Sequence, residues 1–594
     1  MTGEALKLKD FYHEELRLLR QEGRQFADAH PATAQALAMS HGHSGDPHVE
    51  LLLQSFAFLT GRLHYQLESD RAALPNTLLA ALYPHLEAPI PSMAVAQVAM
   101  KPGGPFTLER HRLFQTQAKS SEGYTTPCRM RTCWQTTLLP LEVASLHLRK
   151  AASLEFLLGH PEVFSTLQVQ VTRIPGSNDP IQALGAPTLR LHIDTRAPAA
   201  FTLYNLLMVN LSGIAVRIGA QTTFLPPETL RWVGFEADEG ALPERDATHP
   251  GYRLLQEYFA FPAKFLFFDL EGIDLGGAIE DFELFFLFDT NATFKANRSL
   301  LRLNCVPLVN LFPQPIDPLI LDQKSYEYRL TGDVARHRYC EIYALERLTA
   351  TRPGGRPREV VPFFAMEGFD RLEERDTFYG WRREESHLPQ VAGSEFYISF
   401  MDRQFDLDLP ADAVIGGRAL CTNRNLPEWL RAGDTFKLEG PGAVVGATLL
   451  DTPTPHRHPT QLGARPWRLV TQLGMNLQNL DLENLKRMLR LHAGEDREKG
   501  WKQIEGLEGL TLTPAMRLIE QQPWRGFRRG LAVELQVIEK RFEGGSPLLF
   551  GAVLTHFLAL LAHLNTFVEV GLRSDRHEGV WKRWPVRCGD QPLI

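Results

Sequence analysis

The stretch "LYPHLEAPIPSM", Leu82 to Met93, places Pro84, Pro89 and Pro91 within eight positions, after a helical pattern and before an apolar, strand-like run. Proline has no amide donor and pushes its predecessor out of the helical region, so three in close order end helical structure and send the chain out extended. The stretch reads as a stiff hinge between a helical region, 1–91, and a β-rich one that begins at 92.

Upstream, Asp10 is a candidate cap. After it Tyr12, Leu16, Leu19 and Phe26 recur at helical intervals until Pro31 stops the run. A second helix starts at Asp46-Pro47 and carries Val49, Leu52, Leu53, Phe56, Leu59, Leu63 and Leu67 on a face too broad for a solvated helix. A shorter helix is expected over Thr77–Tyr83.

Downstream, "MAVAQVAM", "LRLHIDT", "ELFFLFDT" and "LLRLNCVPLVNLF" are short apolar or alternating runs bounded by Gly, Pro and Asn, as strands are. They make 92–322 a β-rich domain with helical patches such as "TLYNLLMVN", and 323–450 reads as a second β-rich domain. A proline-rich connector, "DTPTPHRHPTQLGARP" at 451–466, leads to an α+β part, 467–594. The fold class expected is therefore α+β multidomain: helices first, predominantly antiparallel β in the middle, α+β at the end.

With 594 residues the chain exceeds the ~250–300 that one hydrophobic core sustains. Its 44% hydrophobic and 22% charged residues are those of a folded chain, and the net charge of −7 offers no basic footprint for nucleic acid. Six scattered cysteines fit a reducing compartment, and the mixed charges of the first thirty residues lack the apolar core of a signal peptide. Leu548–Val568 is uncharged and long enough to span a bilayer at ~18 residues. His556, His563 and Asn565 argue against that, as does a soluble-type start in which Ser546 caps and Pro547 takes the first helical position. A helix buried against other protein is the expectation, with no membrane insertion.

Motifs for chemistry are weak. Cys128 and Cys133 in "PCRMRTCW" are five apart and so point to opposite faces of a continuous strand. His41, His43 and His48 in "SHGHSGDPH" could offer two or three imidazoles to a metal-binding regulatory module, a second competing function, although glycine-rich loops also carry histidine for solubility alone, and "HRH" at 456–458 is weaker still. No GxSxG, HExxH, GxxxxGK[ST] or GxGxxG occurs. Acid clusters at "EADEGALPERD" and at Glu280, Asp281 and Glu283 keep a carbohydrate-active β-rich enzyme as the alternative function, since glycosidase pairs leave no linear motif. The basic-aromatic stretches "WRGFRRG" (524–530) and "VWKRWPVRCG" (580–589) suit protein contacts.

Several segments together resemble the TssF family of bacterial type VI secretion baseplate subunits, also called ImpG or VasA. They are "FYHEELRLLRQEGRQFADAHP", "DPHVELLLQSFAFLTGRLHYQL", "LYPHLEAPIPSM", "TPCRMRTC", "YRLLQEYFAFPAKFLFFDL", "NCVPLVNLFPQPIDPLILD", "LCTNRNLP", "FRRGLAVELQV" and "LLFGAVLTHFLALLAHLNTFVEV", in family order over nearly the whole chain. The sequence departs from the pattern at "HLEAPIPS", where a bulkier aromatic-basic lead-in is expected. The resemblance implies a structural wedge protein akin to those of contractile-phage baseplates, without catalytic residues, metal or cofactor. It implies assembly with TssG, two TssF copies per TssG, and links to TssK and TssE, and it leaves open the spike protein VgrG and cytoplasmic domains of the membrane complex. It also implies a cytoplasmic location at the inner face of the inner membrane. Partner contacts are expected at Phe11, Tyr12, Leu16, Leu19, Phe56, Leu59 and Leu63 in the N-terminal helices, Trp524, Arg528 and Arg529 in the basic-aromatic stretch, and Phe557, Leu561 and Phe567 near the C-terminus.

Overall fold

The two proline-rich segments lie against each other. Ile90 and Arg457 exchange backbone hydrogen bonds of 2.8 and 2.9 Å, and Met93 accepts from the amide of Thr454 and donates its own amide to the Thr454 hydroxyl. The hinge and the connector, 361 residues apart at Met93 and Thr454, thus form one joint in which extended, proline-stiffened backbone satisfies itself. The computed structural model describes residues 8–36, 39–40, 43–44, 46–82, 84–119, 123–177, 179–243, 250–322, 324–352, 354–363, 377–386, 388, 391, 393–402, 413–458, 465–472, 480–494, 499–521, 524–564 and 566–589.

On the N-terminal side of the joint lie α1 (Leu8–Ala29), α2 (Pro31–Ala36), α3 (Pro47–Leu82) and the single turn α4 (Pro84–Glu87). The expected break before Thr77 does not occur: α3 runs unbroken for 36 residues, about 54 Å at 1.5 Å per residue, through a buried Pro75. Proline removes one ladder bond, and the surrounding turns hold because Leu79, Leu86 and Leu469 pack together. Residues 465–472 form α7, which lies against α3 and carries Leu469.

Beyond the joint the chain is mostly antiparallel β, as its alternating runs imply. Six strands close a barrel in the order Cys305–Val309, Met93–Met100, Val444–Leu449, Thr435–Leu438, Leu113–Lys119 and Thr125–Thr132. The barrel draws strands from both sides of the boundary expected at 322/323. That boundary was placed by linear composition, whereas the last two strands of 323–450 return to pair with Met93–Met100 and Leu113–Lys119. Cys128 lies in the barrel core, while Cys133 falls in the bend just past the end of Thr125–Thr132 and joins a separate cluster with Trp134 and Phe267, so strand alternation does not relate the two. A five-stranded antiparallel sheet (Gln221–Leu225, Leu211–Ile218, Asp281–Phe288, Ser165–Arg173, Leu141–Lys150) shares a core with a four-stranded one (Leu230–Val233, Phe267–Leu270, Leu189–Ile193, Leu301–Leu303). A larger sheet takes Val414–Thr422, Glu341–Thr351, Thr377–Glu385 and Ser394–Asp402 among its strands.

Helices α5 (Ala200–Val209) and α6 (Pro250–Ala260) pack in the middle region, and α8 (Leu482–Ala493), α9 (Gly500–Glu505) and α10 (Pro547–Leu560) belong to the C-terminal part. Asp481 caps α8 through the amide of Asn484, and Ser546, the cap read from the sequence, caps α10 through that of Leu549. Two C-terminal strands, Trp524–Val537 and Thr566–Ser574, pair in parallel, which requires a crossover, and α10 is that crossover.

The uncharged C-terminal helix is shorter than expected and ends at Leu560. Twelve of its fourteen residues are buried, and α10 lies between its own sheet and α6. It is therefore covered by its own chain. Its apolar residues surround the whole helix, and a helix apolar all round must be covered on every side. His556 is stacked on Phe235 at 4.4 Å, and burial holds its pKa well below the usual value, so the ring sits there neutral. Among the described residues no helix is long and apolar enough to cross a membrane.

Candidate interaction surface

Helices α1 and α3 form an antiparallel-looking pair in sequence terms, and their contact is unusually close. A Cβ on Gly61 would stand 2.9 Å from the backbone nitrogen of Tyr12, so only glycine lets the helices meet there. Phe11 packs edge-on against Tyr65 and His64, with ring centroids 5.8 and 5.2 Å away. His64 faces Glu15 at 3.1 Å, and Arg20 bonds Glu50 at 2.7 Å.

The stripe of α3 that turns inward is small: Ala57, Gly61 and Ala72 are buried, followed by Pro75 and Leu79. At 100° per residue, the opposite side carries Leu52, Phe56, Leu59, Leu63, Leu67 and Leu74. These six are between 53% and 69% exposed, with Leu51 and Phe58 exposed on the flank. Helix pairs that are complete in themselves put large apolar side chains between them. Here small residues line the buried side, with Gly61 against α1, and the large ones face solvent, an apolar ridge of the kind that marks an interaction site. Tyr12, Gln54, Ser55, Phe58 and Leu59 line a shallow groove along one edge of it.

The expected contact residues divide accordingly. Phe56, Leu59 and Leu63 lie on the exposed ridge, while Tyr12 and Leu19 are half-buried beside α3. Phe11 and Leu16 are buried between α1 and α3, so they hold the helix pair and offer no surface, a correction to the expectation. Phe557 and Phe567 are likewise core residues, fully covered because α10 and the strand after it are the inner layer of the C-terminal part, and Leu561 is half-buried at the end of α10. Leu52 and Leu67, already on the broad face read from the sequence, belong to the same ridge, and Leu51, Phe58 and Leu74 extend it beyond the residues expected.

A second surface lies on the hairpin Leu507–Gln521/Trp524–Val537. Its strands pair along their full length, but the neighbouring strand pairs only with Arg529–Val537, so the distal half projects past the sheet. Phe527 is 71% exposed there, with Met516 and Leu518 exposed on the same face, and Arg529 beside them. Arg528 is half-buried, and the side chain of Trp524 lies outside the described residues. Of the loop histidines, His48 is exposed, and His41 and the side chain of His43 lie outside the described residues.

Three of the candidate acids among the described residues have partners within the fold. Glu239 accepts hydrogen bonds from the amides of Gly234, Phe235 and Glu236, while Glu280 pairs with Arg173 and Glu283 with Arg217. At the joint, burial raises the pKa of Glu87 to about 8 against the opposing influence of Arg383. Glu341 is the contrasting case: burial would raise it, but the His456 hydrogen bond and Arg424 outweigh burial and hold it well below the carboxylate range.

Residues 5–591 match the family described as "Type VI secretion system, TssF". The chain is 30% identical to the type VI secretion system component TssF1 of Pseudomonas aeruginosa, over 99% of this chain and all of the relative. Its fold is similar to that of a chain in a TssK-TssF-TssG baseplate subcomplex solved by cryo-electron microscopy, with a TM-score of 0.73 and 24% identity over 91% of this chain and 99% of the other. A chain of a type VI secretion baseplate complex is similar over 99% of this chain and all of its own length, with a TM-score of 0.65 and 22% identity. On a match that spans nearly every residue in order, the chain belongs to the TssF family of the type VI secretion system.

Proposed function

We propose that the protein is a structural subunit of the type VI secretion baseplate wedge, with two copies assembling around one TssG and linking to TssK and TssE in the cytoplasm at the inner membrane. The observation that carries this reading is the apolar ridge of α3, whose large side chains face outward along several turns. A ridge of that length suits burial against partner helices in an obligate interface, which runs to ~2,000 Å² or more. The relatives support it further: the similar solved chains come from a TssK-TssF-TssG subcomplex and from a baseplate complex. A non-catalytic role agrees with the acids described above, which are engaged in hydrogen bonds and ion pairs of the fold.

Co-expression with TssG, followed by size-exclusion chromatography with light scattering, tests the reading. The wild type is expected to form a complex of two copies with one TssG. A Leu59→Asp, Leu63→Asp variant is expected to keep its circular dichroism and melting temperature but to lose the complex. A wild-type chain indifferent to TssG at micromolar concentration would sink the wedge reading. An intact complex in the variant would move the interface away from α3.

A further inference from the structure

The triplet His456-Arg457-His458 sits in extended backbone whose central residue pairs with Ile90. Alternation therefore sends both imidazoles to one side and Arg457 to the other, where its guanidinium bonds the carbonyls of Ala493 and Phe259. The two rings stand 4.7 Å apart, and facing them is Glu341 at the start of its strand. One ligand atom from each of Glu341, His456 and His458 lies within 4.8 Å of the others, with the side chains of Glu341 and His456 fully buried.

The carboxylate is held as a ligand is held. Its Oε1 accepts from the amide and hydroxyl of Ser394 at 2.7 and 2.6 Å, which leaves Oε2 turned toward His456 Nε2 at 3.0 Å. Beside it Gly393 carries no side chain and the site's own groups fill that place: a Cβ there would collide with Arg424 Nη1 and stand 3.1 Å from Glu341 Oε1 and 3.2 Å from His458 Cε1. The guanidinium of Arg424 bonds a second carboxylate, Glu395, at 3.1 Å, so a counter-charge to it is already in place.

From this geometry we infer that Glu341, His456 and His458 form a binding site for one divalent first-row transition ion, zinc by class, with water completing the coordination. Two imidazoles and a carboxylate suit such an ion better than calcium or magnesium, which take all-oxygen sets. Bonds of 2.0–2.2 Å bring tetrahedral ligands to about 3.3 Å from one another, so the rings close on the ion with small movements. The half-buried His458 gives the entry side. A bound ion fastens the connector to the strands that begin at Glu341 and Ser394, and through the Ile90–Arg457 bridge it secures the exit of the helical arm. The site goes beyond the wedge reading and does not depend on it.

The test uses the full chain, with any affinity tag removed, stripped by chelator and titrated with Co2+ alone, with zinc content of the protein as purified measured in parallel. One equivalent of Co2+ with tetrahedral d–d absorption is expected, and His458→Gln is expected to weaken it by at least about tenfold. The melting temperature of that variant in chelator should equal that of the stripped wild type, which separates loss of a ligand from loss of fold. Glu341→Gln provides the second variant, with the same expected loss of the Co2+ spectrum. Absence of stoichiometric binding, or binding that survives both substitutions, would overturn the site and leave a hydrogen-bonded clasp in its place.

Discussion

Two helices of this chain carry more apolar surface than their neighbours in sequence explain, and the fold treats them in opposite ways. Helix α10 is apolar on all sides and is buried between its sheet and α6. Helix α3 turns Ala57 and Gly61 toward the chain and leaves Leu52, Phe56, Leu59, Leu63 and Leu67 to solvent. Total hydrophobicity does not distinguish an inner helix from an interface helix. What does is which side the small residues occupy, because a close-packed inner stripe beside a bulky outer one leaves the bulky side for another molecule.

The largest effect that would test this contrast is on α10. Phe557→Ala is expected to cost ~3–5 kcal/mol, read as faster hydrogen exchange of the α10 amides, because a fully covered ring leaves a cavity. A small effect there would mean that α10 is not the inner layer.

Glu87, where the helical arm joins the barrel, comes next. Its native pKa of about 8 lies above the unfolded value of 4.5, so the native state holds its proton more tightly. The stability it contributes is fully present below pH 4.5, declines as pH rises, and is lost through pH 8. Glu87→Gln should therefore stabilise the joint by up to roughly 5 kcal/mol above pH 8 and make no difference below pH 4.5. Melting curves of both proteins across that range check it, and a pH-independent difference would contradict the buried carboxyl.

A third substitution sharpens the helix contact. Gly61→Ala puts a Cβ 2.9 Å from Tyr12 backbone and is expected to cost ~1–3 kcal/mol in the α1–α3 pair, seen as increased exchange in α1 with α10 unchanged. The smallest effect belongs to the ridge. Leu59→Ala with Leu63→Ala should change the stability of the free chain by no more than ~0.5 kcal/mol, since neither side chain is covered within it. If this pair destabilised the free chain as much as Phe557→Ala does, the two helices would not differ in kind.

Much of the architecture is legible in local sequence. The caps at Asp481 and Ser546, the start of α3 at Pro47 and the strand at Met93–Met100 all follow from short-range periodicity and backbone rules. The ridge was half legible: its residues share one helical spacing, but the sequence does not say that the opposite stripe lies against α1. The buried roles of Phe11, Leu16, Phe557 and Phe567 were not legible, because an apolar residue on a helix or strand looks the same whether its own chain or another covers it.

The sequence by itself determined where α3 and α10 begin, where the chain turns extended, and the family to which it belongs. Only the tertiary structure decided that the barrel would recruit Val444–Leu449 to Met93–Met100, that two proline-rich segments would bond to each other, and that His456 and His458 would face Glu341. The reason is physical. Helical periodicity and capping act within a few residues, whereas pairing between segments hundreds of residues apart is selected by the burial and hydrogen bonding of the whole, which no local pattern encodes.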